Sequence, residues 1–367
     1  MQNHPEPHLV AIGTAVPEHE VHAAFLAFAE ARLSERRDRL ALRRMAARSG
    51  IGGRRSVLAP ASSEVASVDA DGRLYRHGVF AGTRARMDVY AEAAPALAAR
   101  AVADLAARAD LDGITHLVTA SCTGFLAPGL DQRLAALIGL PGSVERVALG
   151  FMGCAAAVNG LSVARHIARS DERARVLVVC TELCTLHLQD EDDLESLLAA
   201  MLFGDGAAAA LVANEERGLA LEGFRALTIP DTPDLITWTV SDTGFLMRLS
   251  GDVPGAIATA LEAERARNAP DGVLAGAALS DFDLFAVHPG GRSVLDAVAR
   301  ALDLGEDALC ASRAVLAAHG NMSSATILFV LARLMAERRA GAAPRRGLGM
   351  AFGPGMVAET FRFREAA

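Results

Sequence analysis

Short apolar runs alternate along the chain with longer segments whose apolar residues recur every three or four positions. HLVAIGTAVP reads as a strand that stops at a turn. VHAAFLAFAEARLSERRDRLALRRMAARSG has helical periodicity and breaks at Gly50, Gly52 and Gly53. RMDVYAEAAPALAARAVADLAARADL predicts one long amphipathic helix despite Pro95. ITHLVTASC, ARVLVVCTEL and DGAAAALVANE are apolar runs of strand length, and GLDQRLAALIGL is a helix after the Pro128-Gly129 turn. VERVALGFMGC predicts a strand that runs straight into the helix AAAVNGLSVARHIARS. Later, GAIATALEAERARN, SVLDAVARAL and NMSSATILFVLARLMAERRA predict helices, and DFDLFAVHPG predicts a strand that ends at a glycine pair. RRGLGMAFGPGMVAETFRF predicts two strands around the loop Gly353-Pro354-Gly355.

Buried strands alternating with helices define an α/β fold. Residues 1–214 and 215–367 each place reactive side chains at a strand end or just inside a helix. This suggests two similar halves with a site at their junction, and the absence of a low-complexity linker predicts one rigid body. At 51% hydrophobic, the chain of 367 residues has ample core material. A formal charge of -8 without a basic run argues against nucleic acid as a partner. No apolar stretch reaches the ~20 residues a transmembrane helix needs, and MQNHPEPHLVAIGTAVP lacks the features of a secretory signal. Five cysteines, Cys122, Cys154, Cys180, Cys184 and Cys310, then point to free thiols in a reducing cytoplasm. Cys180 and Cys184 lack a second ligand pair, so no metal site is expected.

Three distant segments each carry one reactive side chain in a glycine-rich setting: GFMGCAAAVNGL with Cys154, AVHPGGRS with His288, and HGNMSSATILFV with Asn321. A cysteine at a strand-to-helix turn meets unpaired N–H groups and the helix dipole, which lower a thiol pKa. Each residue also has an ordinary reading, as a buried thiol, a satisfied histidine or a helix cap. Together they form a set suited to acyl transfer through a thioester.

These motifs resemble the type III polyketide synthases, the chalcone and stilbene synthase family of the thiolase-like superfamily. The likeness runs from about Val10 to Arg362 through ITHLVTASCTGFLAPG, FMGCAAA, LFGDGAAAALV, AVHPGGRSVLD, GNMSSATILF and AFGPGMVAET. It implies a five-layered αβαβα fold, a homodimer, acyl-CoA and malonyl-CoA as substrates, and no bound cofactor. By the same resemblance Cys154 is the nucleophile that carries the acyl chain. His288 and Asn321 then stabilise the enolate formed from malonyl-CoA, and an imidazolium at His288 favours the Cys154 thiolate. Phe203 matches one gatekeeper position and Met247 a second, with Phe245 the alternative if the register slips. Cys122, Thr123, Cys184, His187 and Trp238 fall at cavity positions, and Ser323 stands beside the asparagine. Gly290, Gly291 and Pro354 shape the site, and Arg54 and Arg55 fall in a basic CoA-binding loop. Core packing is the competing reading for Trp238 and Phe203, and Asp205 reads as a loop-fixing acceptor rather than an acid.

The thiol and histidine replacements resemble bacterial members that make alkylpyrones or alkylresorcinols. They predict a fatty acyl starter, a few malonyl-CoA extensions, and closure to an α-pyrone or a resorcinol. The alternatives are a malonyl-CoA-primed synthase of tetrahydroxynaphthalene type, a ketoacyl-ACP synthase III-like enzyme making one bond, and a catalytically silent scaffold.

Overall fold

A computed structural model describes residues 6–61, 68–76, 79–338 and 341–367. The first half opens with β1 (His8–Ala15). A two-residue pair, β2 (His19–Glu20) with β3 (Arg55–Ser56), brackets α1 (His22–Arg32) and α2 (Arg36–Arg48). The single helical region expected here divides because Leu33 leaves α1 in an extended conformation and buries its side chain. A second small pair, β4 (Tyr75–Arg76) with β5 (Val79–Phe80), precedes α3 (Thr83–Ala106). Pro95 is tolerated inside α3. Its ring deprives the Ala91 carbonyl of a helical N–H, and the Arg133 guanidinium donates to that carbonyl instead, at 3.3 Å.

Next come β6 (His116–Ser121), α4 (Leu130–Leu137), β7 (Glu145–Gly150) and α5 (Ala156–Ser170). They are followed by β8 (Arg175–Leu183), α6 (Leu194–Leu202) and β9 (Asp205–Ala213). The second half holds β10 (Leu219–Thr228), a hairpin of β11 (Ile236–Ser241) and β12 (Gly244–Leu249), and α7 (Val253–Arg267). It continues with β13 (Leu284–Val287), α8 (Arg292–Ala301), α9 (Cys310–His319), α10 (Thr326–Ala336), β14 (Arg346–Gly353) and β15 (Val357–Glu365). The helix expected from Asn321 starts only at Thr326, after a 3-10 turn over Ser323–Ala325. Arg339 and Ala340, the last two residues of that expected helix, lie outside the described residues.

Nine strands form one sheet in the order β13-β14-β15-β10-β1-β9-β8-β6-β7. In the first half β6 runs parallel to β7 and β8, β8 is antiparallel to β9, and β9 is antiparallel to β1. In the second, β13 is parallel to β14, β14 antiparallel to β15, and β15 antiparallel to β10. Taken in chain order the two plans match: β1 with β10, β6 with β13, β8 with β14, β9 with β15. Only β7 lacks a counterpart among the described residues. The halves join edge to edge where His8 and Leu9 of β1 face Ala220 and Leu219 of β10.

Three apolar clusters mark the helical layers. One packs α3 on the outer face of the first half, where Leu97, Ala101 and Leu105 meet Ala207, Ala209 and Leu211. A second encloses α5 and α10 between the two half-sheets. The third packs α7, α8 and α9 outside the second half. The result is the expected five-layered αβαβα arrangement, with its two β layers continuous through β1 and β10. Close layering depends on small residues: a Cβ on Gly13 would stand 2.1 Å from the backbone nitrogen of Leu105 in α3. Among the described residues no helix is long and apolar enough to cross a membrane.

Candidate active site

Both middle-layer helices begin with a 3-10 turn, and both turns face the same cavity. Before α5, Phe151 and Gly153 adopt left-handed φ values of 57° each, which swings the chain off β7 and presents Cys154. A Cβ at Gly153 would lie 2.4 Å from Cδ of Pro354, so the position needs glycine for conformation and for space. Before α10, Ser323 is the matching left-handed residue, with φ 46°. Cys154 Sγ lies 3.9 Å from both side-chain polar atoms of Asn321 and 3.8 Å from Ser323 Oγ.

Asn321 is held on every side. Its backbone N–H donates to the Leu202 carbonyl at 2.8 Å, and its own carbonyl accepts from Gly204 at 3.0 Å. These two bonds form a parallel bridge to Phe203. Its Oδ1 accepts from the Ser323 N–H at 2.8 Å, and its Nδ2 donates to the Gly290 carbonyl at 3.4 Å. His288 follows β13 directly, as Cys122 follows its counterpart β6. It is 1% exposed, and neither ring nitrogen has a protein partner.

Cys154, His288 and Asn321 line one cavity of about 60 Å³. The same wall includes Cys122, Thr123, Cys184, Phe203, Trp238, Met247, Gly290, Ser323 and Pro354. Burial acts against the expected charge pair. Burial lowers the His288 pKa to about 3 and raises that of Cys154 to about 11, although hydrogen bonds from Ser323 and Asn321 pull the latter down. Burial thus favours a neutral imidazole and a thiol, the opposite direction to the helix-start effect expected from the sequence.

Beneath the cavity lies Glu182, a fully buried carboxyl that the sequence reading passed over. It accepts from the Cys122 N–H at 3.0 Å, Thr123 Oγ1 at 2.9 Å and Ser324 Oγ at 2.5 Å. Burial raises its pKa to about 7. The available signal was a lone acid inside the apolar run VLVVCTEL. Cys122 Sγ also sits 3.3 Å from Ser323 Oγ, so the network reaches the turn that carries Asn321.

The β11–β12 hairpin covers the cavity. Trp238 and Met247 are direct cross-strand partners, and both line it. The Trp238 indole N–H donates to the Cys122 carbonyl at 2.6 Å, so this side chain serves the pocket wall rather than a remote core. Phe245 does not line the cavity. It is buried against His187, with ring centroids 4.2 Å apart. His187 does not line this cavity. Its Nδ1 accepts from the Phe245 N–H at 3.0 Å, its Nε2 pairs with the Thr123 carbonyl at 2.8 Å, and burial drops its pKa to about 3. Its two nitrogens tie the hairpin to the Thr123 backbone.

A second chamber, of about 230 Å³, adjoins the first and shares Cys184, Phe203, Trp238 and Met247 with it. It continues between Phe25, Leu58, Val68, Tyr75, Leu188 and Leu197, and His187 lines this chamber. On the other side an open groove of about 940 Å³ holds Gly291, Arg48 and Arg292. Gly290 lines both this groove and the cavity.

Arg54 requires the clearest correction. The resemblance implies a grip on CoA phosphates, but its side chain is buried. It donates to the carbonyls of Ala200 and Phe203, bonds His22 Nδ1, and stacks 4.7 Å above Phe25. It therefore fixes the backbone of Phe203, the residue expected to act as a gate. Arg55 is half-buried and donates to the Glu18 carbonyl at 2.6 Å. Asp205 behaves as expected of a loop-fixing acceptor, taking bonds from the N–H groups of Val57 and Thr185 and from Thr185 Oγ1. Among the described residues no cluster of three or more His, Cys, Asp or Glu side chains is suited to a metal.

Two layered halves that present a cysteine, a histidine and an asparagine to one buried cavity define a thiolase-like condensing enzyme. The chain belongs to the chalcone and stilbene synthases: the family's N-terminal domain matches residues 2–216 and its C-terminal domain residues 224–367. It is 35% identical over 291 residues to the alpha-pyrone synthesis polyketide synthase-like Pks18 of Mycobacterium tuberculosis, covering 76% of this chain and 73% of that one. To bisdemethoxycurcumin synthase of Oryza sativa subsp. japonica it is 38% identical over 292 residues, covering 75% and 72%. The C-terminal type III polyketide synthase domain of Steely1, a type I/III hybrid from Dictyostelium, superposes with a TM-score of 0.87. There the identity is 25% and the coverage 99% and 100%. The protein is thus a polyketide synthase, an acyltransferase of the condensing type.

Proposed function

We propose that the protein loads a fatty acyl-CoA starter onto Cys154, extends it with malonyl-CoA, and closes the chain to an α-pyrone or a resorcinol. The observation that carries this reading is the joining of the cavity containing Cys154, His288 and Asn321 to a mainly apolar chamber of about 230 Å³. The cavity alone, at about 60 Å³, is too small for an alkyl chain. Similarity to an alpha-pyrone synthesis enzyme supports the same direction.

In the first step Cys154 sulfur attacks the starter thioester. A new C–S bond forms, and CoA leaves as the thiol with the proton that Cys154 gives up. Malonyl-CoA then enters by the groove past Gly290. Its C–carboxylate bond breaks, carbon dioxide departs, and the electron pair moves into the thioester as an enolate. Two neutral donors, the His288 imidazole N–H and Asn321 Nδ2, hold the enolate oxygen. The unpartnered ring nitrogens of His288 suit it to this role. The enolate carbon attacks the acyl carbonyl and expels the Cys154 thiolate, and return of the longer chain to sulfur allows another cycle. These steps need no metal and no redox cofactor.

We also assign a homodimer to this chain. Edge strand β7 exposes Val147, and Phe125 and Met152 lie exposed nearby. Its five free thiols suit the cytoplasm.

Purified enzyme given labelled malonyl-CoA with and without palmitoyl-CoA tests the central reading. Labelled pyrone or resorcinol should require the long acyl-CoA. Equal product without it would replace this reading with a malonyl-primed synthase. Turnover on malonyl-ACP alone would replace it with a single-condensation enzyme.

A further inference from the structure

The β11–β12 hairpin forms a sheet of its own, so the outer edge of β12 meets no further strand among the described residues. At Phe245 that edge is taken up by side chains instead. The Phe245 N–H donates to His187 Nδ1 at 3.0 Å, and its carbonyl accepts from Gln189 Nε2 at 3.4 Å. The Phe245 ring lies on the imidazole, 12° from parallel. On its far side the imidazole meets the Thr123 carbonyl through Nε2 at 2.8 Å. A carbonyl only accepts, so Nε2 carries the proton and Nδ1 is left as the acceptor. The two partners together select one neutral tautomer.

This clip is anchored from α3. Arg86, itself buried, donates from one guanidinium nitrogen to the carbonyls of Leu186 and Leu188, at 2.9 and 2.8 Å. Those are the residues on either side of His187. Burial keeps the ring neutral, and the Arg86 charge acts in the same direction. A second tie runs beside the first, where Trp238 donates to the Cys122 carbonyl at 2.6 Å. The hairpin therefore hangs from two consecutive carbonyls of the segment that follows β6. Trp238 and Met247, paired across its strands, form the wall that the hairpin contributes to the cavity.

We propose that His187 is a positioning residue: through its two hydrogen bonds, not its bulk, it fixes the stand-off of the hairpin and so limits how many malonyl units are added. This rests on the reading that Cys154 carries the growing chain. That chain has to fit between Cys154 and the hairpin before release, and the cavity there measures only about 60 Å³. His187 lines the neighbouring chamber and not the cavity, so it acts on the cavity through the hairpin. Loss of the clip lets Trp238 and Met247 retreat, and the added room admits a longer chain.

The test supplies hexanoyl-CoA and labelled malonyl-CoA and resolves the products by mass. It reads the share of product longer by one malonyl unit than the main wild-type product. Two variants pull bond and bulk apart. His187→Phe keeps a flat ring on Phe245 but has neither donor nor acceptor. His187→Asn is smaller, yet its amide oxygen offers the Phe245 N–H an acceptor as Nδ1 does. The longer product should rise about fivefold or more in His187→Phe, the scale of one lost buried hydrogen bond, and stay within about twofold of wild type in His187→Asn. The reverse pattern overturns the proposal and makes the position a matter of volume. Unchanged products in both variants, or equal lengthening in both, overturn it as well. Should a variant fail to fold, NMR of the unaltered protein with isotope-labelled histidine nitrogens decides. His187 should show Nε2–H with a bare Nδ1 down to about pH 5, and protonation above that pH or the other tautomer overturns the proposal. Intact mass after hexanoyl-CoA alone reports loading separately, and a wild-type Cys154 that stays unacylated would strike the assignment of the nucleophile instead.

Discussion

Replacing Gly153 by alanine adds one methyl group where the structure has neither the conformation nor the room for it. The residue sits at φ 57°, which costs an L side chain roughly 1–2 kcal/mol. The new carbon would also meet Cδ and Cγ of Pro354 at 2.4 and 2.8 Å. Relieving that overlap costs about 1–3 kcal/mol more, so the total loss is about 2–5 kcal/mol. Relief must come from moving Pro354 or the turn that carries Cys154. A 1 Å shift of a reacting atom costs about a hundredfold in rate. Thermal unfolding should therefore show a melting point lower by several degrees, and acylation of Cys154 by palmitoyl-CoA should slow by about two orders of magnitude. Pro354→Ala removes the two atoms that collide. In the double variant the overlap share should return, as a coupling of about 1–3 kcal/mol, while the share from backbone conformation persists. A Gly153→Ala protein with wild-type melting and acylation, or strictly additive variants, would refute the argument.

Four further outcomes are expected. Arg54→Met should destabilise the protein by roughly 2–4 kcal/mol in urea, because the carbonyls of Ala200 and Phe203 lose their donor. Normal stability with a raised KM for acyl-CoA would restore a nucleotide-binding role. Iodoacetamide reaction at Cys154 should keep climbing towards pH 11, since burial holds the thiol there, and a plateau near pH 8.5 would contradict this. Glu182 keeps its proton in the folded state up to about pH 7, whereas an ordinary glutamate loses it near 4.5. Its contribution is therefore present at low pH and lost as pH rises through that window, by up to roughly 3 kcal/mol. Denaturation scanned from about pH 4 to about pH 8 should show a flatter slope in Glu182→Gln, and an unchanged slope would contradict the assignment. Ala200→Phe should obstruct the apolar chamber, lowering palmitoyl loading about tenfold while sparing hexanoyl-CoA, and equal effects on both would show that long chains do not lie there.

The elements that bury one continuous apolar run were legible in the chain. ARVLVVCTEL and DGAAAALVANE became β8 and β9 because their apolar stretches have strand length and are buried on both faces. The three reactive residues were legible through the glycines around them, which mark tight turns and close approaches. The hairpin carrying Trp238 and Met247 was not foreseen, since ITWTVS and GFLMRL are only partly buried and give a weak pattern. Arg54 and Glu182 were misread or missed for one shared reason. Their charge and hydrogen-bonding capacity suggest solvent or substrate, and only the fold shows how completely other protein groups occupy them. The sequence also carries no sign that desolvation would leave Cys154 and His288 both uncharged.

The bridge between Phe203 and Asn321 welds a wall of the cavity to the group proposed to steady the enolate. Neither can drift without the other, so this side of the chamber is a poor place for selection to tune which molecules are accepted. The β11–β12 ribbon hangs outside the nine-stranded frame and lends two large side chains to the opposite wall. Diversification of products among such enzymes is easiest there, where a residue can be exchanged without disturbing the machinery that forms the carbon–carbon bond.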